Sequence, residues 1–242
     1  MMEEARDDRR TASSALSADA PRTASHALPE GLELVRTDHG LALCGEGMEL
    51  IASFTHMLPR IKPANLQREL LLKAIRIKNG GDSLRVIDAT AGFGEDSFLL
   101  AAAGHDVTMF EHNPVIAALL RDALERSACD PRLAPISARM HLVEGDSTQL
   151  LSACSPSPDA VYLDPMFPER SKSAAVKKKF QLLHRIERPC TDEVDLLEAA
   201  LALRPRRIVI KRTRKGPYLA GRKPHYSLEG TTIRYDCFSF SS

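Results

Sequence analysis

The sequence has no tryptophan, few aromatic residues, only five cysteines and no long apolar run. Each shortage narrows what the chain can be. Nowhere does it approach the roughly 18 consecutive apolar residues that a membrane helix needs, so no membrane partner is expected. Cys44, Cys129, Cys154, Cys190 and Cys237 are odd in number and form no CxxC pair, and the eight histidines make no HxxxH spacing. That pattern argues against a zinc site and for reduced thiols, hence no metal and a cytoplasmic location. Residues 1–27 lack a secretory apolar core, and Glu3, Glu4, Asp7 and Asp8 argue against a transit peptide.

What is present is the material of one soluble α/β domain. The 242 residues are 43% hydrophobic and 27% charged, enough for a sizeable core. Residues 1–28 carry few apolar positions and no periodicity, which predicts a disordered tail. Residues 29–82 read as an N-terminal cap segment. Leu32, Leu34, Leu41 and Leu43 alternate weakly there, as in a small hairpin. Asn65 is placed to cap a helix through Leu66, Leu70, Ile75 and Ile77, which Asn79-Gly80-Gly81 would stop. From residue 83 to 242 the texture changes. Apolar runs at 84–88, 107–111, 140–143, 160–163 and 207–210 alternate with helical stretches at 95–103, 114–127 and 192–203. Strands alternating with helices predict a mainly parallel twisted sheet with helices on both faces. Tyr226 to Phe240 alternates around Glu229-Gly230 and reads as a C-terminal antiparallel hairpin.

Net charge is +1, which conceals a segregation. Residues 166–225 hold sixteen Lys and Arg against six Asp and Glu, an excess of +10 that leaves about −9 for the rest. Such a block suits a polyanion such as RNA, with Lys172, Lys177, Lys178, Lys179, Arg212 and Arg214 as candidate phosphate contacts.

The most informative stretch is Asp88-Ala-Thr-Ala-Gly92-Phe-Gly94-Glu95-Asp96. A strand ends at Asp88, and Gly92 and Gly94 let the backbone turn tightly before a helix begins. A dinucleotide site would need G-x-G-x-x-G, with pyrophosphate on the helix N-terminus. Here the third glycine position is Ser97, and Glu95 and Asp96 place carboxylates where phosphates would sit. S-adenosylmethionine has no phosphate and carries a cationic sulfonium and an ammonium, so it suits these acids better. Further acids recur at strand ends. Glu111 lies 23 residues after Asp88, near the spacing of an acid that holds ribose hydroxyls. Asp146 and Ser147 follow the third strand, where a carboxylate could accept an adenine amino group or simply cap a turn.

The fourth strand ends in Asp164-Pro165-Met166-Phe167-Pro168. Amino-group methyltransferases often carry an Asn/Asp-Pro-Pro-Tyr/Phe corner at this place, with Met166 here in the second proline position. An exocyclic amine is a poor nucleophile because its lone pair is delocalised into the ring. Acceptors on its N–H groups, the Asp164 carboxylate and the Pro165 carbonyl, would favour the transition state. Phe167 would stack on the extruded base.

With these residues assembled, the chain resembles the ribosomal RNA small subunit methyltransferase J family. The resemblance rests on 88–96, Glu111-His112-Asn-Pro-Val-Ile-Ala-Ala-Leu-Leu120 and Val161 to Pro168. Lys172-Ser-Ala-Ala-Val-Lys177-Lys178, Val209-Ile-Lys211-Arg212 and Arg234-Tyr-Asp236 add to it, and together they cover roughly 31–240. It implies a Rossmann-like class I methyltransferase fold and transfer from S-adenosylmethionine to the N2 amine of a guanine in 16S rRNA, free or in the small ribosomal subunit. Cofactor contacts would fall on Glu95, Asp96, Glu111, His112, Asp146, Ser147 and Asp164. The family commonly has Arg at the positions of Glu95 and His112, and a Gly-rich basic stretch where this chain reads Ile61 to Arg68. Two other readings share these motifs: a non-catalytic RNA-binding or ribosome-assembly factor, and an amino-methyltransferase for another substrate.

Overall fold

The computed structural model describes residues 28–165, 182, 185–186 and 193–240; the expected tail over 1–27 lies outside them. The chain opens with three antiparallel strands, β1 (Leu32–Thr37), β2 (Gly40–Gly45) and β3 (Met48–Ile51), one strand more than the expected hairpin. The single helix expected after Asn65 is instead two short ones, α1 (Pro63–Leu66) and α2 (Leu70–Ile75). Asn65 is not a cap. It lies inside α1, and its amide donates to the Pro59 carbonyl at 2.9 Å. Glu69 breaks the run with an extended ψ of 122°, its carboxylate held by Arg60.

The main sheet follows the expected alternation. Its elements are β4 (Arg85–Asp88), α3 (Glu95–Ala102), β5 (Asp106–Glu111), α4 (Pro114–Ala128), α5 (Ala134–Ser137) and β6 (Met140–Glu144), then α6 (Ser147–Ala153), β7 (Ala160–Leu163), α7 (Glu193–Ala202), β8 (Arg207–Thr213), β9 (Tyr226–Glu229) and β10 (Ile233–Ser239). Seven strands run in the order β6-β5-β4-β7-β8-β10-β9. The first five are parallel, and β10 pairs antiparallel with both β8 and β9. The order reverses at β4, so the carboxyl ends of β4, β5 and β7 form the crevice where ligands of open α/β sheets bind.

Side chains divide between two faces with the strand period of two. Val86, Val107, Met109, Tyr162, Val209 and Tyr235 join the core that α2, α3 and α4 cover. Ile87, Phe110, Val161, Leu163, Ile208, Ile210 and Phe238 join the core beneath α6 and α7. The first core also takes in Leu32, Leu43, Leu50, Phe54 and Met57 from the N-terminal segment, so the cap and the main sheet share one interior.

A buried charge fastens the cap. Asp122 on α4, 3% exposed, accepts the Leu41 backbone N–H at 3.0 Å and Arg126 Nε at 2.7 Å, and Arg36 of β1 pairs with its other oxygen. Burial raises its proton affinity, but these donors outweigh it and hold its pKa below the usual carboxylate range. Leaving the two arginines and a strand N–H without their acceptor should cost about 3 kcal/mol. Asp122→Ala is therefore expected to lower the free energy of urea unfolding by that order, while Asp130→Ala, at the solvated pair with Arg132, should change it far less.

Candidate functional site

The residues expected at the strand ends do come together, and the glycine loop shows why. Gly94 is the residue before α3, with φ +73°, and a Cβ there would stand 2.9 Å from Leu120 Cδ1. Only glycine fits that approach. Gly92, with φ +54°, has nothing within 4 Å of its would-be Cβ, so its outer side is open for a ligand. The loop is tied at both ends. Ser147 Oγ donates to the Ala89 carbonyl at 2.6 Å, and the Glu111 carboxylate accepts N–H groups from Gly92 at 2.9 Å and Asn113 at 2.8 Å. Asn113 then caps α4 through its side chain, with Pro114 at the first helical position.

Asp88 sits under the loop, 1% exposed. It accepts Ser97 Oγ at 2.6 Å and the Thr90 N–H at 3.0 Å. Burial nevertheless pushes its pKa up to about 7, against these donors and with Asp96 and Asp164 adding to the rise. Burial likewise raises Glu111, partly offset by its N–H donors and by His112.

Next to Asp88 lies a network that motif reading missed. Asp96 Oδ2 accepts Tyr162 Oη at 2.6 Å and Lys211 Nζ at 2.7 Å. The same ammonium is 2.8 Å from Asp164 Oδ2. The Asp164 backbone N–H donates to Thr90 Oγ1 at 2.6 Å, which joins the Asp164-Pro165 corner to the glycine loop. Burial opposes the Lys211 charge, but Asp96 and Asp164 outweigh it and hold the ammonium well above the usual lysine range. Tyr162 and Tyr235 rise as well, through burial first and then Asp96. The sequence signal for Lys211 was a charge directly after the apolar run Ile208-Val209-Ile210, at the end of the strand beside β7.

Other candidates lie elsewhere. Glu95 turns outward to His56 Nε2 at 3.0 Å. His112 is exposed, its Nδ1 3.6 Å from Glu111. Asp146 is exposed and caps α6, accepting the Gln149 N–H at 3.0 Å, as the turn reading expected. Arg212 is corrected as a phosphate contact: it is 3% exposed, its Nε donates to the Pro217 carbonyl at 3.0 Å, and Glu193 is 4.0 Å away. Arg214 is exposed and pairs with Glu229 at 3.3 Å. Phe167, Lys172, Lys177, Lys178 and Lys179 lie outside the described residues. Among the described residues, no group of three or more His, Cys, Asp or Glu could hold a metal ion, and no helix is long and apolar enough to cross a membrane.

The family model described as "Putative SAM-dependent methyltransferase" matches residues 25–240. The chain belongs to this SAM-dependent methyltransferase family. A SAM-dependent methyltransferase from Neisseria gonorrhoeae is similar at 33% identity with a TM-score of 0.71, over 89% of this chain and 86% of that one. Proteins named "Ribosomal RNA small subunit methyltransferase J" are similar too. That of Pseudomonas aeruginosa (strain UCBPP-PA14) is 50% identical over 70% of this chain, and the match spans 65% of that protein's length. That of Thioalkalivibrio sulfidiphilus is 47% identical over 72% of this chain and 69% of its own.

S-adenosylmethionine is the family's cofactor, and the residues of this family member fit it. Asp88, Asp96, Glu111 and Asp164 gather at the strand ends around one crevice, with the Lys211 ammonium between Asp96 and Asp164. The first turn of α3 carries Glu95 and Asp96, which repel phosphate and welcome a cation. Calorimetry should show S-adenosylmethionine binding, weakened by Glu111→Lys, and no binding of NAD.

Asp88 also makes stability depend on pH. Its folded pKa, about 7, is above the 3.8 of the free side chain, so the folded state binds the proton more tightly. Stability is greatest at low pH and is lost as pH rises from about 4 through about 7. The loss amounts to roughly 4 kcal/mol at about 1.4 kcal/mol per unit. Asp88→Asn should flatten this component in urea titrations compared at pH 5 and pH 8, narrowing or reversing the difference between variant and parent at the higher pH.

Proposed function

We propose that this protein transfers a methyl group from S-adenosylmethionine to the exocyclic N2 amine of a guanine in 16S rRNA, free or within the small ribosomal subunit, in the cytoplasm. The observation that carries the reading is the Asp164 corner, clamped by Lys211 at 2.8 Å and by Thr90 at 2.6 Å beside the open Gly92 loop. The name of the curated relatives supports the substrate class.

The cofactor, when bound, supplies a methyl group on a cationic sulfur. Glu111, at the end of β5, would hold its ribose hydroxyls, Asp146 its adenine amine, and His112 and Ser147 would flank it. Gly92 offers the open backbone along which it lies. Asp164 and the Pro165 carbonyl accept the N–H groups of the guanine amine, which withdraws the lone pair from conjugation and directs it outward. Phe167 stacks on the base.

Lys211 decides what kind of group Asp164 is. An ammonium at 2.8 Å keeps the carboxylate ionised beside Asp88 and Asp96 and makes it a weak base. It therefore holds the N–H proton as an acceptor until the methylated amine, now cationic and acidic, gives that proton up. The Thr90 bond to the Asp164 backbone fixes the carboxylate's place.

Methyl transfer to 16S rRNA, followed by mass spectrometry of the modified nucleotide, tests the reading. The parent enzyme should yield N2-methylguanine. Asp164→Ala should lower turnover on the order of 100-fold or more, with donor affinity measured on the same variant to separate binding from chemistry. Lys211→Met should lower kcat and move the acid limb of its pH profile upward, because Asp164 is then easier to protonate, and Lys211→Arg should restore that limb. Near-normal turnover by Asp164→Ala would leave the corner as an ordinary strand-ending turn.

A further inference from the structure

The crevice that suits a cationic cofactor is hostile to the substrate just proposed. Asp96 and Asp164 share one ammonium, and Glu95 and Asp146 are exposed nearby, so the mouth of the crevice opposes the phosphates of an incoming RNA strand at separations below the Debye length of about 8 Å. Of the residues assigned to RNA above that are described, Arg212 is buried and Arg214 is paired with Glu229. The cap supplies a further cationic surface.

Residues 60–78 carry six Lys and Arg against one acid, Glu69. The upstream part of this segment is bolted to the cofactor helix. Phe54 stacks flat on Phe98 of α3, with ring centroids 4.8 Å apart and planes 6° from parallel, and His56 reaches Glu95 at 3.0 Å. Leu70 packs against the β9–β10 turn, where a Cβ on Gly230 would meet Leu70 Cδ2 at 3.4 Å. Between these anchors Pro59, Arg60, Asn65, Arg68 and Glu69 line an open cleft of about 410 Å³, a size that falls within the roughly 300–1,000 Å³ of small-ligand sites. Arg60 is pre-set in its wall by two parallel bonds to Glu69, Nε at 2.6 Å and Nη2 at 2.8 Å. His56 holds Glu95, the neighbour of Asp96, and Leu70 rests on the β9–β10 turn, so the cleft lies on the sheet face that carries the Asp96–Lys211–Asp164 network. Arg68 and Lys62 are exposed at its margin, and their side chains form no ion pair with an acid among the described residues.

We propose that the cap cleft between Pro59 and Glu69 seats the RNA backbone next to the target guanosine, with Lys62 and Arg68 contacting its phosphates. This rests on the methyltransferase reading above and names the surface by which that site holds its substrate. Arg60, its fork taken by Glu69, shapes the wall of the cleft and does not itself contact phosphate. Lys62 and Arg68 add unneutralised charge. The contact is to phosphate and carries no base identity, so it positions the strand and leaves recognition of the guanine to the corner.

The experiment compares the full-length parent with the Lys62→Ala/Arg68→Ala double variant, changed only at exposed cap positions, and with Arg68→Lys. Affinity for a single-stranded 16S fragment is measured as a function of salt. Methyl transfer kinetics and calorimetry of the donor accompany it, and thermal melting checks the fold. The double variant should flatten the slope of log affinity against log salt by about 0.7 for each lost contact. KM for RNA should rise on the order of 10-fold, with kcat and donor affinity unchanged, and Arg68→Lys should behave as the parent does. An unchanged slope and KM in the double variant, with the parent methylating RNA, would overturn the cap proposal alone. A fall in kcat or donor affinity with an unchanged salt slope would also overturn it, showing that these residues only support the crevice. A parent that binds donor but methylates no RNA would overturn both this proposal and the reading beneath it.

Discussion

Lys211 and the two carboxylates it bridges are the interaction on which the ligand crevice depends. Asp88, Tyr162, Asp164, Lys211 and Tyr235 stand on the sheet face that α3 covers, and Asp96 projects from α3 onto it. The ammonium between Asp96 and Asp164 offsets the repulsion of two carboxylates held so close. The ammonium has two anionic partners at 2.7 and 2.8 Å, which is why burial does not strip its proton. Asp88 relies on neutral donors, Ser97 and Thr90, and burial raises it to about 7.

This arrangement links binding to chemistry through backbone as well as charge. Thr90 lies in the loop that turns toward the cofactor, and its hydroxyl accepts the N–H of Asp164. Ser147 and Glu111 hold the same loop from the start of α6 and the end of β5. A cofactor that settles against Gly92 therefore presses on a structure already tied to the corner that holds the acceptor amine. The cap belongs to the same construction. Phe54 and His56 rest on α3, and Asp122 ties β1 and β2 to α4, so the basic cleft is held at a set position over an acidic crevice.

Much of this was legible in the residues because it is local. Alternating apolar runs and helical stretches state the strand–helix order, and the sheet follows it with β10 and β9 closing antiparallel. Acids at the ends of β4, β5 and β7 announce a cationic ligand, since ligands of open parallel sheets bind outside the carboxyl ends of the strands. The cap was less legible. Short apolar stretches around Asn65 fit a continuous helix equally well, and only the claims of Arg60 on Glu69 and of Pro59 on Asn65 break it in two.

The sequence by itself determined the α/β class, the glycine turn, the kind of cofactor it admits and the Asp164 corner, because each is written in neighbouring residues and their period. Only the tertiary structure decided which charges meet. Lys211 and Arg212 are adjacent and alike in sequence, but successive residues of a strand point to opposite faces. Lys211 thus enters the crevice between Asp96 and Asp164, while Arg212 is buried near Glu193 and the Pro217 carbonyl. That outcome hangs on β8 lying beside β7 and on the first turn of α3 bringing Asp96 to both, a long-range order that no local pattern contains.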